Sequence, residues 1–283
     1  MSPFLLRLRR IITFNAETKI GFSIVAAFVL ISIAESIGGR HILPYNPIKY
    51  FVGKPFSPPS LLHPFGTTNL GADLFSMVIA GAPNAAEISF FVVGVAFIGG
   101  GLLGAFAGYL GGLTDEVLMR ITDIFLTLPV IIIAMAFVAV LGPSPIHAMI
   151  ALSIIWWPAY ARLSRSEALK LRGAYFVESA KLSNMSTLEI VLRHIFRVSV
   201  PTLLTYVTLD IGTVVLVYSG LSFLGLSVRL PYPDWGFMVA NFAQYIFLAP
   251  WMPILPAVVI VIIAVGFSLL GDGMRSALQH ESR

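Results

Sequence analysis

The chain has 283 residues, of which 57% are hydrophobic and only 11% are charged. Soluble domains carry roughly 25% charged residues, so this composition excludes a soluble globular protein. The absence of cysteine excludes disulfides, thiolate metal sites and thiol catalysis. We therefore predict an all-α protein that crosses a lipid bilayer several times, and we attribute its net charge of +4 to membrane orientation rather than to nucleic-acid binding.

Six apolar stretches are long enough to span a membrane. A bilayer core of about 30 Å requires roughly 20 apolar residues in a helix. Stretches that meet this requirement lie at residues 20–37, 86–106, 124–141, 146–163, 198–221 and 251–270. The last of them contains only aliphatic side chains from 258 to 265, which makes it the strongest candidate. The sequence thus predicts six transmembrane helices.

The basic residues predict the orientation of these spans. Fourteen of the 18 lysines and arginines lie in the first 19 residues, in or beside the loops after the second and fourth spans, or after the last span. The other four are Arg40, Lys49, Lys54 and Arg229. Because cytoplasmic loops are enriched in lysine and arginine, both termini are predicted to be cytoplasmic.

This topology divides the chain into a cytoplasmic N-terminal segment (1–19), a first span (20–37), an outer segment (38–85) and a core of five spans (86–283). The first half of the outer segment is rich in proline and predicted to be extended. Its second half is predicted to form a short helix on the outer membrane surface, capped by Asn69. Leu70, Leu74, Met77 and Val78 share the apolar face of this helix.

The cytoplasmic loop of residues 164–197 is charged and is predicted to contain two short helices. The first runs from about Tyr175 to Leu182. The second begins with a capping box formed by Ser186 and Glu189. Asn184 lies between the helices and tolerates the left-handed backbone that a tight turn requires. The pattern also fits a solvated charged linker, so at this point both interpretations remain open.

The first of these helices carries side chains suited to contact with another protein. Ser179, Ala180 and Ser183 are small enough for a second backbone to approach closely. Tyr175 and Phe176 form an apolar pair that could fill a cleft in a partner.

Five groups of residues resemble one transporter family. Glu178-Ser179-Ala180 followed by Asn184 is similar to the "EAA…G" loop of ABC-importer permeases, with asparagine in place of the glycine and Arg197 where a proline is often found. The segments 63–76, 107–112, 221–226 with 233–236, and 269–275 resemble the second (C-type) permease of the dipeptide/oligopeptide/nickel import branch. These segments occur in matching order over residues 63–278, so the chain is identified as a member of that family.

The resemblance implies a type I importer permease fold in the cell membrane. It implies a heterodimer with a sister permease of the B type, two ABC ATPase subunits that carry ATP and Mg, and an extracellular or periplasmic substrate-binding protein. The cytoplasmic helix would be the coupling helix that docks on an ATPase, with contacts from Tyr175, Phe176, Glu178, Ser179, Ala180 and Asn184. The expected solute is a peptide, with an oligosaccharide or nickel as the alternatives.

The sequence shows no enzymatic signature of its own. It contains no Gly-Lys-Ser/Thr phosphate loop, so ATP hydrolysis is expected to reside in partner subunits. The five histidines lack metal-ligand spacing, and no nucleophile is paired with a base. We therefore predict no catalytic residue, metal or cofactor in this chain.

Two helical stripes inside the predicted spans complete the set of candidates. Ala96, Gly100, Gly104 and Gly108 recur every fourth residue and predict close helix packing, within the bundle or against the sister permease. The polar residues of the fifth span are expected to line a translocation path because a lone aspartate in a membrane needs water or a partner; they are Thr202, Tyr206, Asp210, Thr213 and Tyr218. Asp210 could instead bond within the bundle, or serve as the ion site of a self-contained secondary transporter.

Overall fold

The computed structural model describes residues 15–227 and 233–281, and the regular structure in them is helical apart from one isolated bridge between Thr67 and Asp73. The predictions that involve Arg7, Arg9, Arg10, Arg229 and Arg283 lie outside the described residues. The helices are α1 (Ala16–Gly38), α2 (Leu74–Val95), α3 (Gly101–Leu110), α4 (Gly112–Thr127), α5 (Val130–Leu141), α6 (Pro145–Leu171), α7 (Tyr175–Leu182), α8 (Thr187–Ile190), α9 (Arg197–Phe223), α10 (Trp235–Phe242) and α11 (Trp251–Glu281).

In the part of the chain that the structure describes, four stretches of helix are long and apolar enough to cross a membrane. They are Ala16–Gly38, Leu74–Leu110, Thr187–Phe223 and Trp251–Ala277. Two of them continue through π-helical turns, Ala96–Gly100 between α2 and α3 and Val191–Phe196 between α8 and α9. The pair formed by α4 and α5 adds a fifth candidate if it is counted as one broken span.

The predicted third span, residues 124–141, is not one continuous helix. Helix α4 ends at Thr127, α5 begins at Val130, and the two are bent by 90°. Pro129 lies at the bend, and Leu128 before it is extended, with φ −96° and ψ 140°. A proline ring disfavours helical geometry in the preceding residue, which accounts for the break.

The predicted fourth span, residues 146–163, lies in α6, a 27-residue helix. Among the described residues, this helix is not one of those long and apolar enough to cross a membrane, and its second half is charged from Arg162 onward. The number of six spans and the cytoplasmic position of both termini remain predictions.

The separate interfacial helix predicted for the outer segment is also wrong. Helix α2 begins at Leu74 and continues without a break into a membrane span. Its first turn is capped by Asp73, whose Oδ2 accepts a hydrogen bond from the Ser76 backbone N–H at 2.8 Å. Asn69 instead donates to the Tyr245 hydroxyl at 3.2 Å. Leu74 and Val78 are buried in the protein and do not face a membrane surface.

The helices form two compact units. Of the described residues, 15–90, 137–148, 208–227 and 233–281 belong to the first unit, and 91–136 and 149–207 to the second. In the first unit α1 packs along α11 at glycine positions. A Cβ at Gly21 would lie 2.6 Å from the Leu270 backbone nitrogen, and a Cβ at Gly273 would lie 2.0 Å from the Thr18 hydroxyl oxygen. The two helices therefore approach as closely as their backbones permit.

In the second unit α3 packs directly on α6. A Cβ at Gly100, Gly104 or Gly108 would lie 2.2 Å, 2.0 Å or 2.7 Å from the carbonyl oxygens of Trp157, Ala161 and Arg165, respectively. The predicted small-residue stripe is confirmed, and it serves packing within this chain.

Candidate functional site

The loop of residues 164–197, predicted to be cytoplasmic, has the local structure that its sequence predicts. Helix α7 runs from Tyr175 to Leu182, and α8 follows a capping box. The Ser186 Oγ accepts from the Glu189 backbone N–H at 3.3 Å, and the Glu189 Oε2 accepts from the Ser186 backbone N–H at 3.1 Å. Asn184 has a φ of 56°, so the left-handed turn is confirmed. Each of these features depends on residues close together in the chain.

One face of α7 is buried in the second unit. Val177 and Ala180 pack in a cluster with Ala105 of α3 and Ala168 of α6, and Ile190 of α8 belongs to the same cluster. Ala180, which was predicted to let a partner approach, is therefore directed into its own unit. Its small side chain brings α7 close to α3 and α6.

Away from this buried face, α7 and the following α8 expose large apolar side chains. Tyr175 is 91% exposed, Leu182 is 87% exposed, and Phe176 and Leu188 are also exposed. We call these four residues the coupling patch. Glu178, Ser179 and Asn184 are exposed as well. Large apolar side chains that are exposed outside the predicted spans indicate a contact site, because their exposure to water is unfavourable.

The sequence prediction missed Leu182 and Leu188. The position of Leu182 was available from helical periodicity, since it lies seven residues after Tyr175 and thus shares its face. Leu188 belongs to the next helix, and only the turn at Asn184 places it beside α7.

Two ring contacts hold α7 in place. The Lys181 Nζ lies 5.3 Å from the centroid of the Tyr109 ring of α3, a cation–π distance. The rings of Phe176 and His194 are 6.2 Å apart. Together with the buried cluster, these contacts fix α7 to the rest of the second unit.

Two ion pairs connect α4 to α6. Arg165 binds Asp115 with both the Nε and an Nη atom, and the Nη2–Oδ2 distance is 2.6 Å. This hydrogen bonding raises the pKa of the Arg165 guanidinium above its usual value. Arg162 binds Asp123 through one contact of 2.6 Å. The first pair is partly buried, with side chains 32% and 14% exposed, whereas the second is 53% and 51% exposed.

The polar residues of α9 do not form one stripe. At about 100° per residue, Tyr206, Asp210 and Thr213 lie within about 60° of one another around the helix. Tyr206 and Thr213 are exposed, and Asp210, like Thr202, is partly buried. Tyr218 lies about 80° to 140° away from this face and is only 2% exposed. The structure therefore separates Tyr218 from the three other predicted path residues.

Tyr218 belongs to a buried polar network centred on Asp234. The Tyr218 hydroxyl donates to the Asp234 Oδ2 at 2.8 Å, and the Asn84 amide donates to both groups at 2.8 Å and 3.1 Å. Asp234 also accepts from the Ser222 hydroxyl and caps α10 through the Phe237 backbone N–H. This network ties α2, α9 and α10 together in the first unit.

In the sequence, Asp234 stands out only as part of a family motif, and no pattern marks Asn84. An aspartate directly before a helix is a capping signal, so the role of Asp234 as the cap of α10 could have been predicted. Its bonds to Tyr218 and Asn84 join residues 16 and 150 positions away, and no local pattern indicates them.

A cavity of about 410 Å³ adjoins this network in the first unit. Asn84, Glu87, Ser144 and Asp234 contribute polar groups to its wall. Glu87 is an exposed acid near the start of the second predicted span, and the sequence analysis did not select it. Within residues 15–227 and 233–281, no group of three or more histidine or acidic side chains is placed to hold a metal ion.

Comparison with known proteins places the chain among transport proteins. Residues 100–283 match the family "binding-protein-dependent transport system inner membrane component". The chain is 38% identical over 270 residues to the dipeptide transport system permease protein DppC of Alkalihalophilus pseudofirmus, covering 95% of this chain and 87% of the relative. It is 42% identical over 225 residues to the probable D,D-dipeptide transport system permease protein DdpC of Escherichia coli K12, covering 80% and 76%. It is 39% identical over 254 residues to the glutathione transport system permease protein GsiD of Escherichia coli O6:K15:H31, covering 89% and 84%.

The buried network generates a prediction about stability. Tyr218→Phe removes the hydroxyl and leaves Asn84 and Asp234 short of a partner, which costs about 1–3 kcal/mol. We expect a lower unfolding temperature of the purified protein in detergent, measured by intrinsic fluorescence. Tyr206→Phe on the exposed face of α9 is the matched control and should leave this temperature unchanged. Equal unfolding temperatures for both variants would contradict a structural role for the Tyr218 hydroxyl.

Proposed function

Because the chain belongs to the family of binding-protein-dependent transport system inner membrane components, we propose that it is the permease subunit of an ATP-driven peptide importer. It is a multi-pass protein of the cell membrane, and membership of this family is the observation that carries the proposal. The names of its relatives favour a short peptide over an oligosaccharide or nickel as the solute.

We further propose the partners that such an importer needs. A sister permease of the B type would complete the translocation pathway, and a substrate-binding protein would deliver the solute. Two ABC ATPase subunits would bind ATP and Mg and perform the hydrolysis, so this chain itself would carry no cofactor and no catalytic residue.

The coupling patch is the proposed docking surface for an ATPase subunit. Tyr175 and Leu182 offer apolar side chains to a groove, and the exposed Glu178 and Ser179 border them. The buried face of the same helix is fixed to α3 and α6. A displacement of α7 by the ATPase would therefore move the second unit as a block, which is how a small movement at an interface becomes a rigid-body change.

The face of α9 that carries Tyr206, Asp210 and Thr213 is proposed to line the translocation path. A carboxylate in a membrane-spanning helix requires a polar environment, and a peptide offers an ammonium group that can bind it. Tyr218 is not included, because its hydroxyl is occupied in the Asp234 network. The ion-coupled secondary transporter stays the alternative from another class.

Docking through the coupling patch can be tested by charge substitution. The double variant Tyr175→Glu/Leu182→Glu places two charges in an apolar contact, so the ATPase subunits should no longer copurify with the permease pair. Lys170→Glu/Arg172→Glu, which changes two exposed residues just before α7, is the control and should keep the complex intact. Copurification of the ATPase with the patch variant in normal yield would contradict the proposed surface.

The path hypothesis predicts an effect of Asp210 on uptake. Asp210→Asn removes the charge at nearly constant size, and dipeptide uptake by proteoliposomes containing the whole complex should fall at least tenfold while the complex still assembles. The wild-type uptake should require ATP and resist an uncoupler of the proton gradient. Unchanged uptake and selectivity in the variant would refute the path role, and uptake abolished by the uncoupler would favour the secondary transporter.

A further inference from the structure

Helix α4 is connected to α3 by a joint of two glycines. Gly111, which separates the two helices, and Gly112, the first residue of α4, both have positive φ angles, 67° and 57°. Glycine adopts such angles without steric cost, and two in succession leave the direction of the following helix weakly determined by the backbone. Contacts made by side chains must therefore fix the position of α4.

The strongest polar contact of α4 is the pair formed by Asp115 and Arg165. The guanidinium binds both carboxylate oxygens, a geometry that fixes the distance and the angle between the two groups. Asp115 lies one turn after the glycine joint. The Asp123–Arg162 pair two turns further along has a single contact and is exposed to solvent, so it constrains α4 less.

Arg165 also lies in the part of α6 that packs against α3, one turn before the residue that contacts α7. A Cβ added at Gly108 of α3 would lie 2.7 Å from the backbone carbonyl oxygen of Arg165, so α3 and α6 are in contact at this residue. One turn later Ala168 enters the cluster that holds Val177 and Ala180 of α7. A movement of α7 is thus transmitted through packed contacts to the α6 segment that carries Arg165.

We propose that Arg165 is a positioning residue that transmits the displacement of α7 to α4 through Asp115. In this mechanism α3, α6 and α7 move as one block, the two glycines act as the joint, and the bidentate pair makes α4 follow. Helix α5, which follows the 90° bend at Pro129, then lies at the end of the moving α4. The inference rests on the proposed function, because it requires an ATPase that moves α7.

The test measures coupling in the complete importer reconstituted in proteoliposomes. Asp115→Asn should leave assembly of the complex and its ATPase rate in place, because the coupling patch is untouched. Dipeptide uptake per ATP hydrolysed should fall at least tenfold. The matched control Asp123→Asn, in the exposed pair on the same two helices, should change this ratio less than twofold.

A covalent tie provides the second arm of the test. The chain has no cysteine of its own, so Asp115→Cys/Arg165→Cys can be joined by a short bismaleimide. Without the cross-link, the double-cysteine variant should show the same loss of dipeptide uptake per ATP hydrolysed as Asp115→Asn. With the cross-link, it should regain at least half of the wild-type uptake per ATP. If the Asp115–Arg165 contact served only folding, linking the two cysteines would not change the uptake per ATP hydrolysed in a complex that has already assembled.

The outcomes separate this inference from the proposed function. Absence of ATP-driven uptake in the wild-type complex would refute the proposed function itself. Normal wild-type uptake together with unchanged coupling in Asp115→Asn would refute only the transmission role. If neither Asp115→Asn nor Asp115→Cys/Arg165→Cys assembled into a complex, the transmission role would also be refuted. The Asp115–Arg165 pair would then be required for folding and not for coupling.

Discussion

The direct contact between the backbones of α3 and α6 is the constraint on which the proposed coupling surface depends. Gly104 leaves no room for a side chain against Ala161, and Gly108 leaves none against Arg165. This contact creates the floor on which Val177 and Ala180 of α7 pack. With this face of α7 buried, the side chains of Tyr175 and Leu182 on the other face are exposed, as the proposed docking on an ATPase requires.

The features that the sequence predicted well are those determined over a few residues. The bounds of α7, the Ser186–Glu189 capping box and the left-handed Asn184 all follow from local hydrogen bonding and backbone preference. The glycine stripe could also be predicted, because a small residue at every fourth position is visible in the sequence of a single helix. Hydropathy also gave the helical membrane class, because composition does not depend on tertiary contacts.

The predictions that failed involve either proline geometry or distant partners. The apolar content of residues 124–141 concealed the bend at Pro129, because hydropathy does not register a broken helix. Tyr218 was grouped with Asp210 as a polar residue of the same helix, yet its partners Asn84 and Asp234 come from two other helices. Ala180 was assigned to a partner surface because sequence alone does not show which side of a short helix is covered.

Accessibility of Tyr175 tests the central claim most directly. The chain lacks cysteine, so Tyr175→Cys introduces a single thiol that a maleimide reagent can label in this subunit. Labelling should be rapid in the permease pair alone and at least tenfold slower once the ATPase subunits are bound, because the seated helix is shielded from solvent. Equal labelling rates with and without the ATPase subunits would show that α7 remains free, and would contradict the account.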